Sequence, residues 1–284
     1  MFAPSFDYYR AGAVREALAL MQQHPGAKFL AGGHSLIPLL KLRLTAPTAL
    51  IDIGRIPELK GIASSGGTIR IGALTTHAEL ATSPVLTAEC PMLCDAAGHI
   101  GDTQVRNCGT IGGSIAHADP AGDWPAAVMA LDAEIQIFGP NGERWVKCDE
   151  FFLGLLMSVI EPDEIVTAVK VPVTGTDKTA YLKAAPRSSG FAVVGVAVRL
   201  TMDNTGTCSR AAIGITGVAD KAYRPERLEQ MLTGKRLDSA IIQAAAAEAC
   251  RNVEPIEDIN GSAEYRKQLT EVYVARAIET ALQT

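Results

Sequence analysis

Residues 28 to 53, KFLAGGHSLIPLLKLRLTAPTALIDI, leave a chain few ways to fold. AKFL reads as a short strand running into a glycine pair. Residues 36–44 are an apolar run with Lys41 and Arg43 near its end, where cations suit a helix dipole. TALIDIG is a second short apolar strand. A strand, a glycine loop, a helix and a strand in so short a span predict a compact βαβ unit with parallel strands. Glycine reaches positive φ without steric cost, so the amides around Gly32-Gly33 can turn inward as an anion nest. With Ser35 as N-cap, its hydroxyl and the first helical N–H groups face the same point as the dipole's positive end. Pro38 then falls in the first turn, where its missing N–H does no harm. Taken alone, the stretch reads more simply as a capped strand-to-helix turn. It is not GxGxxG, which argues against a nicotinamide-dinucleotide fingerprint.

A second stretch changes the balance. Residues 107–127, NCGTIGGSIAHADPAGDWPAA, again set glycines between hydroxyls, at Thr110-Ile111-Gly112-Gly113-Ser114. Backbone N–H and side-chain O–H groups there could converge on oxyanions. Two such loops in one chain suit a pyrophosphate gripped from two sides. Asp119 and Asp123 follow at spacings where a carboxylate could accept from ribose hydroxyls. Each has a plainer reading as well: Asp119-Pro120 as a turn starter, and Asp123 as N-cap of a helix beginning at Trp124.

The rest of the chain is α+β in texture. Residues 11–23 place Val14, Ala17, Leu18 and Met21 on one helical face. TIRIGAL alternates as a strand, and Thr76-His77-Ala78-Glu79 has the form of a capping box. AEIQIFG and ERWVKC flank Pro140-Asn141-Gly142 as a hairpin, and DEIVTAVKVP is a further strand in a mixed or antiparallel sheet. Residues 174–177 read as a polar linker. Beyond them come a second hairpin, turning at Asp203-Asn204-Thr205-Gly206, and three helical segments near 225–232, 238–251 and 262–282. The divisions expected are 1–57, 58–175 and 176–284.

Composition removes several classes of function. With 284 residues, 48% of them hydrophobic, there is material for two or three lobes, each with a core. A formal charge of −5 argues against a nucleic-acid binder. No apolar run reaches the ~18 residues needed to span a bilayer. The start, MFAPSFDYYRAG, lacks the pattern of a secretory signal, so the expected location is cytoplasmic, or membrane-associated through partners. Six scattered cysteines without a CxxC suit free thiols in a reducing compartment and no metal held by this chain. His77, His99 and His117 have no ligand spacing and read as surface or satisfied core residues.

Gly32-Gly33-His34-Ser35-Leu36, with Gly101-Asp102-x-Gln104-Val105-Arg106-Asn107 and Thr110-Ile111-Gly112-Gly113-Ser114, closely resembles the FAD-binding medium subunit of molybdenum hydroxylases. The nearest likeness is to the carbon monoxide dehydrogenase medium-subunit type, related to the xanthine dehydrogenase flavin domain. The resemblance runs over nearly the whole chain, and the two motifs in order, with GDTQVRN between, are specific where either alone would be weak. It implies a two-lobe PCMH-type FAD-binding domain, an N-terminal βαβ lobe plus a mixed-sheet lobe, followed by a C-terminal antiparallel sheet with helices.

Carried over residue by residue, Ala31, Gly32, Gly33, His34, Ser35 and Leu36 would hold the FAD pyrophosphate with Thr110, Ile111, Gly112, Gly113 and Ser114. Asp123 would lie toward the ribitol or ribose. Ile100 and Ile165 match apolar positions that line the flavin or adenine. Lys183 falls in a segment that approaches the flavin. Phe191 aligns with an aromatic position near the isoalloxazine that is often tyrosine; its plain alternative is a strand core residue. The FAD is expected to be noncovalent, with His34 contacting phosphates. Molybdopterin and 2Fe-2S clusters are expected only in partners, a large and a small subunit, in a dimer of heterotrimers. The chain would pass electrons from the partner's clusters through FAD to an external acceptor. The alternatives are a self-sufficient FAD-dependent oxidase or reductase, and a non-catalytic assembly protein on the same fold.

Overall fold

The structure is a computed structural model describing residues 2–186 and 189–284. The chain opens with β1 (Asp7–Arg10), α1 (Val14–Gln23), β2 (Lys28–Leu30), α2 (Leu36–Lys41) and β3 (Ala49–Asp52). The strands form a parallel sheet in the order β1-β3-β2. The βαβ unit is therefore present, with an added edge strand that short, mostly exposed DYYR does not announce. α1 buries Val14, Ala17, Leu18 and Met21, the face expected from its spacing, against Ile51, Ile53 and Ile56. α2 stops at Lys41, earlier than expected, because Arg43 turns left-handed at φ 58°.

Next come β4 (Ile62–Ser65), β5 (Thr68–Gly72), α3 (His77–Ala81), α4 (Pro84–Glu89), α5 (Pro91–Gly98), α6 (Thr103–Cys108), α7 (Ile111–His117) and α8 (Asp123–Ala130). They are followed by β6 (Glu134–Gly139), β7 (Gly142–Lys147), α9 (Cys148–Phe151), β8 (Phe152–Gly154), β9 (Met157–Ser158) and β10 (Ile165–Pro172). Five of these strands form one sheet, β4-β5-β10-β6-β7, and every pairing in it is antiparallel. The choice between mixed and antiparallel thus resolves to antiparallel. Its inner face and the helices around α8 make the largest core, in which all eight residues of α8 are buried.

Residues 174–177 are not a loose linker. Thr174 is buried and donates both its N–H and its hydroxyl to the Glu89 carbonyl, while Asp177 pairs with Arg199 at 2.5 Å. Beyond them β11 (Lys178–Ala184), β12 (Val194–Met202) and β13 (Cys208–Thr216) form an antiparallel sheet. It is covered by α10 (Glu226–Leu232), α11 (Ser239–Ala246) and α12 (Ala263–Gln283). α12 also carries Arg266, 2% exposed, whose guanidinium donates to the carbonyls of Val193 and Gly217. α8 packs on the outer side of β12 and β13, joining this unit to the large core.

Candidate cofactor site

A cleft of about 880 Å³ opens between the first sheet, the helical side of the second unit and the segment entering β12. That is at the upper end of the roughly 300–1,000 Å³ usual for ligand pockets. The two glycine stretches meet on one wall of it. A Cβ on Gly32 would lie 2.1 Å from the Cys108 carbonyl oxygen, so only glycine lets the β2–α2 loop press onto the end of α6. Gly33 has φ 75°, a left-handed conformation that glycine adopts freely.

This loop leaves the amides of Gly32, Gly33, His34, Ser35 and Leu36 without partners among the described residues. Ser35 does not cap α2 as expected. Its backbone is already helical, at φ −100° and ψ −49°, its side chain makes no cap bond, and the Ile37 N–H reaches back to the Gly33 carbonyl. The helical turn begins before Ser35, which leaves its hydroxyl free beside the open amides.

The second stretch is arranged differently. Thr110 is the N-cap of α7, with its Oγ1 accepting from Gly113 N–H at 3.2 Å, and the glycines lie inside the helix. The amides of Ile111 and Gly112 donate to the carbonyls of Thr75 and Ala73, and that of Ser114 to Thr110. The expected contribution of backbone N–H groups from this stretch is therefore corrected for Ile111 to Ser114, whose donors are spent inside the chain. A Cβ on Gly112 would meet Ala73 Cβ at 2.4 Å, so this glycine serves close packing. The Thr110 and Ser114 side chains line the cleft and remain the polar offering of this wall.

The intervening GDTQVRN is the corner that joins the two. Gly101 is left-handed at φ 47°, Asp102 caps α6 by accepting from Val105 N–H at 2.8 Å, and Arg106 donates to the carbonyls of Ile100 and Gly101 at 3.0 Å each. Ile100 is held half-buried at the cleft, and Ile165, buried at the head of β10, also lines it.

Asp123 does not cap α8. Gly122 holds the cap position, and the Asp123 carboxylate turns inward instead. It accepts from Tyr181 O–H at 2.6 Å and pairs with Lys183 Nζ at 2.8 Å. Lys183 also donates to the carbonyls of His99 and Gly190, at 2.7 and 2.8 Å, so its three N–H groups are satisfied. Burial pushes the Asp123 carboxyl up, against the downward pull of Lys183 and Tyr181, and burial beside Asp123 raises the Tyr181 phenol well above its usual value. Asp123 reaches the cleft, whereas Lys183 stands behind it and is not part of the lining. Asp119 takes its plainer role, accepting from Ala121 N–H at 2.8 Å as a turn residue. Phe191 is 52% exposed and lines the cleft, so it is not a strand core residue.

Two features went unread in the sequence. Leu156 and Met157, about half exposed, form an apolar lip at the cleft, and the run LGLLMSVI carries no periodicity that would mark it. His77 is buried as a core histidine, accepting from Trp124 Nε1–H at 3.1 Å, yet it also lines the cleft. Burial, reinforced by the charges of His34 and Arg106, lowers its pKa to about 4. His117, half-buried at the cleft, is lowered by burial too, whereas His99 is exposed, packs its ring against Tyr181 at 5.9 Å and offers its carbonyl to Lys183. Among the described residues no group of acidic, histidine and cysteine side chains has the arrangement of a metal site. The cleft thus combines open amides, hydroxyls and apolar walls, a composition made for holding a ligand with oxyanions and flat rings.

The chain belongs to the family of FAD-binding domains of molybdopterin dehydrogenases, whose model matches residues 4–174. Residues 179–281 match the CO dehydrogenase flavoprotein C-terminal domain, which places it with the carbon monoxide dehydrogenase type of flavoprotein. It is 43% identical over 284 residues to the carbon monoxide dehydrogenase medium chain of Hydrogenophaga pseudoflava, covering 99% of this chain and 98% of that one. It is 40% identical to the 6-hydroxypseudooxynicotine dehydrogenase complex subunit alpha of Paenarthrobacter nicotinovorans, covering 99% and 96%. Among solved structures, carbon monoxide dehydrogenase from Hydrogenophaga pseudoflava superposes with a TM-score of 0.97 over 100% of this chain and 99% of that one, at 43% identity. Quinoline 2-oxidoreductase from Pseudomonas putida 86 superposes with a TM-score of 0.95, at 32% identity over 100% and 99%. The relatives are subunits of dehydrogenases and oxidoreductases.

Proposed function

We propose that this chain is the flavoprotein subunit of a heterotrimeric molybdenum hydroxylase, binding FAD noncovalently in the cleft. The observation that carries the reading is the run of unpartnered amides from Gly32 to Leu36, beside the Thr110 and Ser114 side chains in the cleft. Ala31 to Leu36 and Thr110 to Ser114 hold the pyrophosphate, the first group by amides and the second by hydroxyls and closeness of approach. Asp123 bonds ribitol or ribose hydroxyls, with Lys183 fixing its carboxylate from behind. Ile100, Ile165 and Phe191 lie against the ring systems. Bound there, FAD supplies the ability to accept electrons singly and release them as a pair. The side chains around it bind, orient and exclude water; none is needed as nucleophile or general base.

The same reading assigns 2Fe-2S clusters to a small partner subunit and molybdopterin to a large one, in a dimer of heterotrimers with an external electron acceptor. The subunit would divide into units 1–57, 58–175 and 176–284, supported by the separate sheets. A cytoplasmic location is supported by the six free cysteines. The relatives act on substrates as different as carbon monoxide and quinoline, so the substrate is a property of the large partner. The test is purification of the chain with its native partners, followed by flavin, molybdenum and iron analysis. FAD released intact by acid, with both metals in the partners, is expected. A chain lacking flavin absorbance that regains none on adding FAD would refute the cofactor assignment; a monomer that captures no metal-bearing partner would refute the complex.

A further inference from the structure

His77 opens α3 directly after the Thr76 capping box, and its N–H donates to the Gly109 carbonyl at 3.0 Å. The ring is 4% exposed, and Trp124 Nε1–H donates to its Nδ1 at 3.1 Å. With Nδ1 occupied as an acceptor, the single proton of the neutral ring resides on Nε2. Nε2 makes no hydrogen bond to any described residue. It is not sealed in the interior either: Arg266 Nε is the sealed, unpartnered side-chain nitrogen among the described residues. The ring lines the cleft, and a Cβ on Gly109 would lie 2.8 Å from Nε2, which fixes that atom beside Gly109. Gly109 is one of the residues against which Gly32 presses, so the free donor sits where the two glycine stretches meet.

We propose that His77 is a further cofactor-binding residue, donating from Nε2 to a pyrophosphate oxygen of the FAD. The inference rests on the FAD reading above. Nε2 is a directed donor with no partner in the chain, held at the cleft, and an acceptor arriving there completes its hydrogen bonding. The acceptor is a phosphate oxygen and not a ring atom, because the unpartnered Gly32 to Leu36 amides converge on the same corner. The positive field of Arg106 also reaches the ring, and it favours an anion there. Burial keeps the imidazole neutral at neutral pH, so it offers one directed hydrogen bond and no charge.

The experiment measures binding of FAD and of riboflavin, which lacks the pyrophosphate, to the full chain stripped of flavin, by quenching of flavin fluorescence. H77L is expected to weaken FAD about tenfold or more, as loss of a hydrogen bond to a charged group does, while riboflavin changes by less than about twofold. H77Q, whose amide can donate from a similar point, is expected to recover most of the loss. W124F removes the Trp124 hydrogen bond but leaves an imidazole at the cleft, and it is expected to weaken FAD less than H77L does. FAD binding unchanged in H77L, equal losses for FAD and riboflavin, or equal losses in W124F and H77L would each overturn the assignment. Failure of the wild-type chain to bind FAD would instead overturn the reading on which it rests.

Discussion

Lys183→Met tests how the buried pair beneath the cleft is held. The two side chains are 4% and 6% exposed, so their interaction needs no discount for solvent screening. Removing the ammonium strands Asp123 with Tyr181 O–H as its remaining side-chain donor, and takes the donor from the carbonyls of His99 and Gly190. Breaking one side of a buried pair costs about 3–5 kcal/mol. For a chain of this size about 2 °C of Tm is lost per kcal/mol, so a fall of about 6–10 °C is expected at pH 7.5.

The pH dependence identifies the cause. Asp123 already titrates above its ordinary value because of burial, and losing Lys183 pushes it further up. A carboxyl whose folded pKa exceeds its unfolded value destabilises the fold progressively as pH climbs from the unfolded value, about 3.9, to the folded one. At 1.36 kcal/mol per pH unit, a deficit of 3–5 kcal/mol needs about 2–4 units. The gap between Lys183→Met and wild type should therefore be smallest near pH 4 and widen over about 2–4 units once pH passes the raised wild-type value, then level off. Urea unfolding across that range measures it. Asp123→Asn combined with Lys183→Met removes both charges and should recover most of the loss. A deficit of equal size at every pH, or a double variant no more stable than Lys183→Met, would refute the account.

Two further outcomes follow from geometry already described. Gly32→Ala would place a methyl 2.1 Å from the Cys108 carbonyl oxygen and part the two glycine stretches; FAD affinity should fall by at least about tenfold, read by fluorescence titration, with the fold retained by circular dichroism. Burial pushes the Cys90 and Cys148 thiols up to about 12, while Cys108 is exposed; a thiol reagent at pH 8 should therefore label Cys108 first, lose that fast phase in Cys108→Ser, and reach Cys90 and Cys148 only on unfolding.

Local rules carried the sequence reading far where local forces decide the outcome. The βαβ unit, the hairpins at Asn141-Gly142 and Thr205-Gly206, the Thr76 capping box and the closing helices all follow from turn chemistry and periodicity. What escaped is what tertiary packing decides. Gly112 and Gly113 are poor helix formers, so TIGGS reads as a loop, yet docking onto Ala73 and the Thr110 cap make it helical. Asp123 has the ordinary look of a cap, and only the fold brings Tyr181 and Lys183, far along the chain, to its carboxylate. The Phe191 ring reads equally as core or as cleft from sequence, because both lie at the head of a strand.

The polar groups of the cleft fall into two sets, and the division says what kind of ligand the site accepts. The Ile111 to Ser114 amides and Lys183 are already satisfied within the chain, so they hold the walls rigid and lose nothing when a ligand arrives, while Asp123 takes both its partners on Oδ1 and keeps Oδ2 for the cleft. The unsatisfied set includes the Gly32 to Leu36 amides and His77 Nε2, donors at the corner where the glycine stretches meet, with the Ser35 and Ser114 hydroxyls beside them. Apolar surface from Ile100, Ile165, Met157 and Phe191 lines the rest. Donors without acceptors select a group that only accepts, which a phosphate oxygen does and a hydroxyl or amide does not. The chain as a whole carries a charge of −5, so its long-range field does not draw in an anion. Recognition of an anion must then come from groups at contact range, in a corner whose backbone forms only with glycine at 32, 109 and 112.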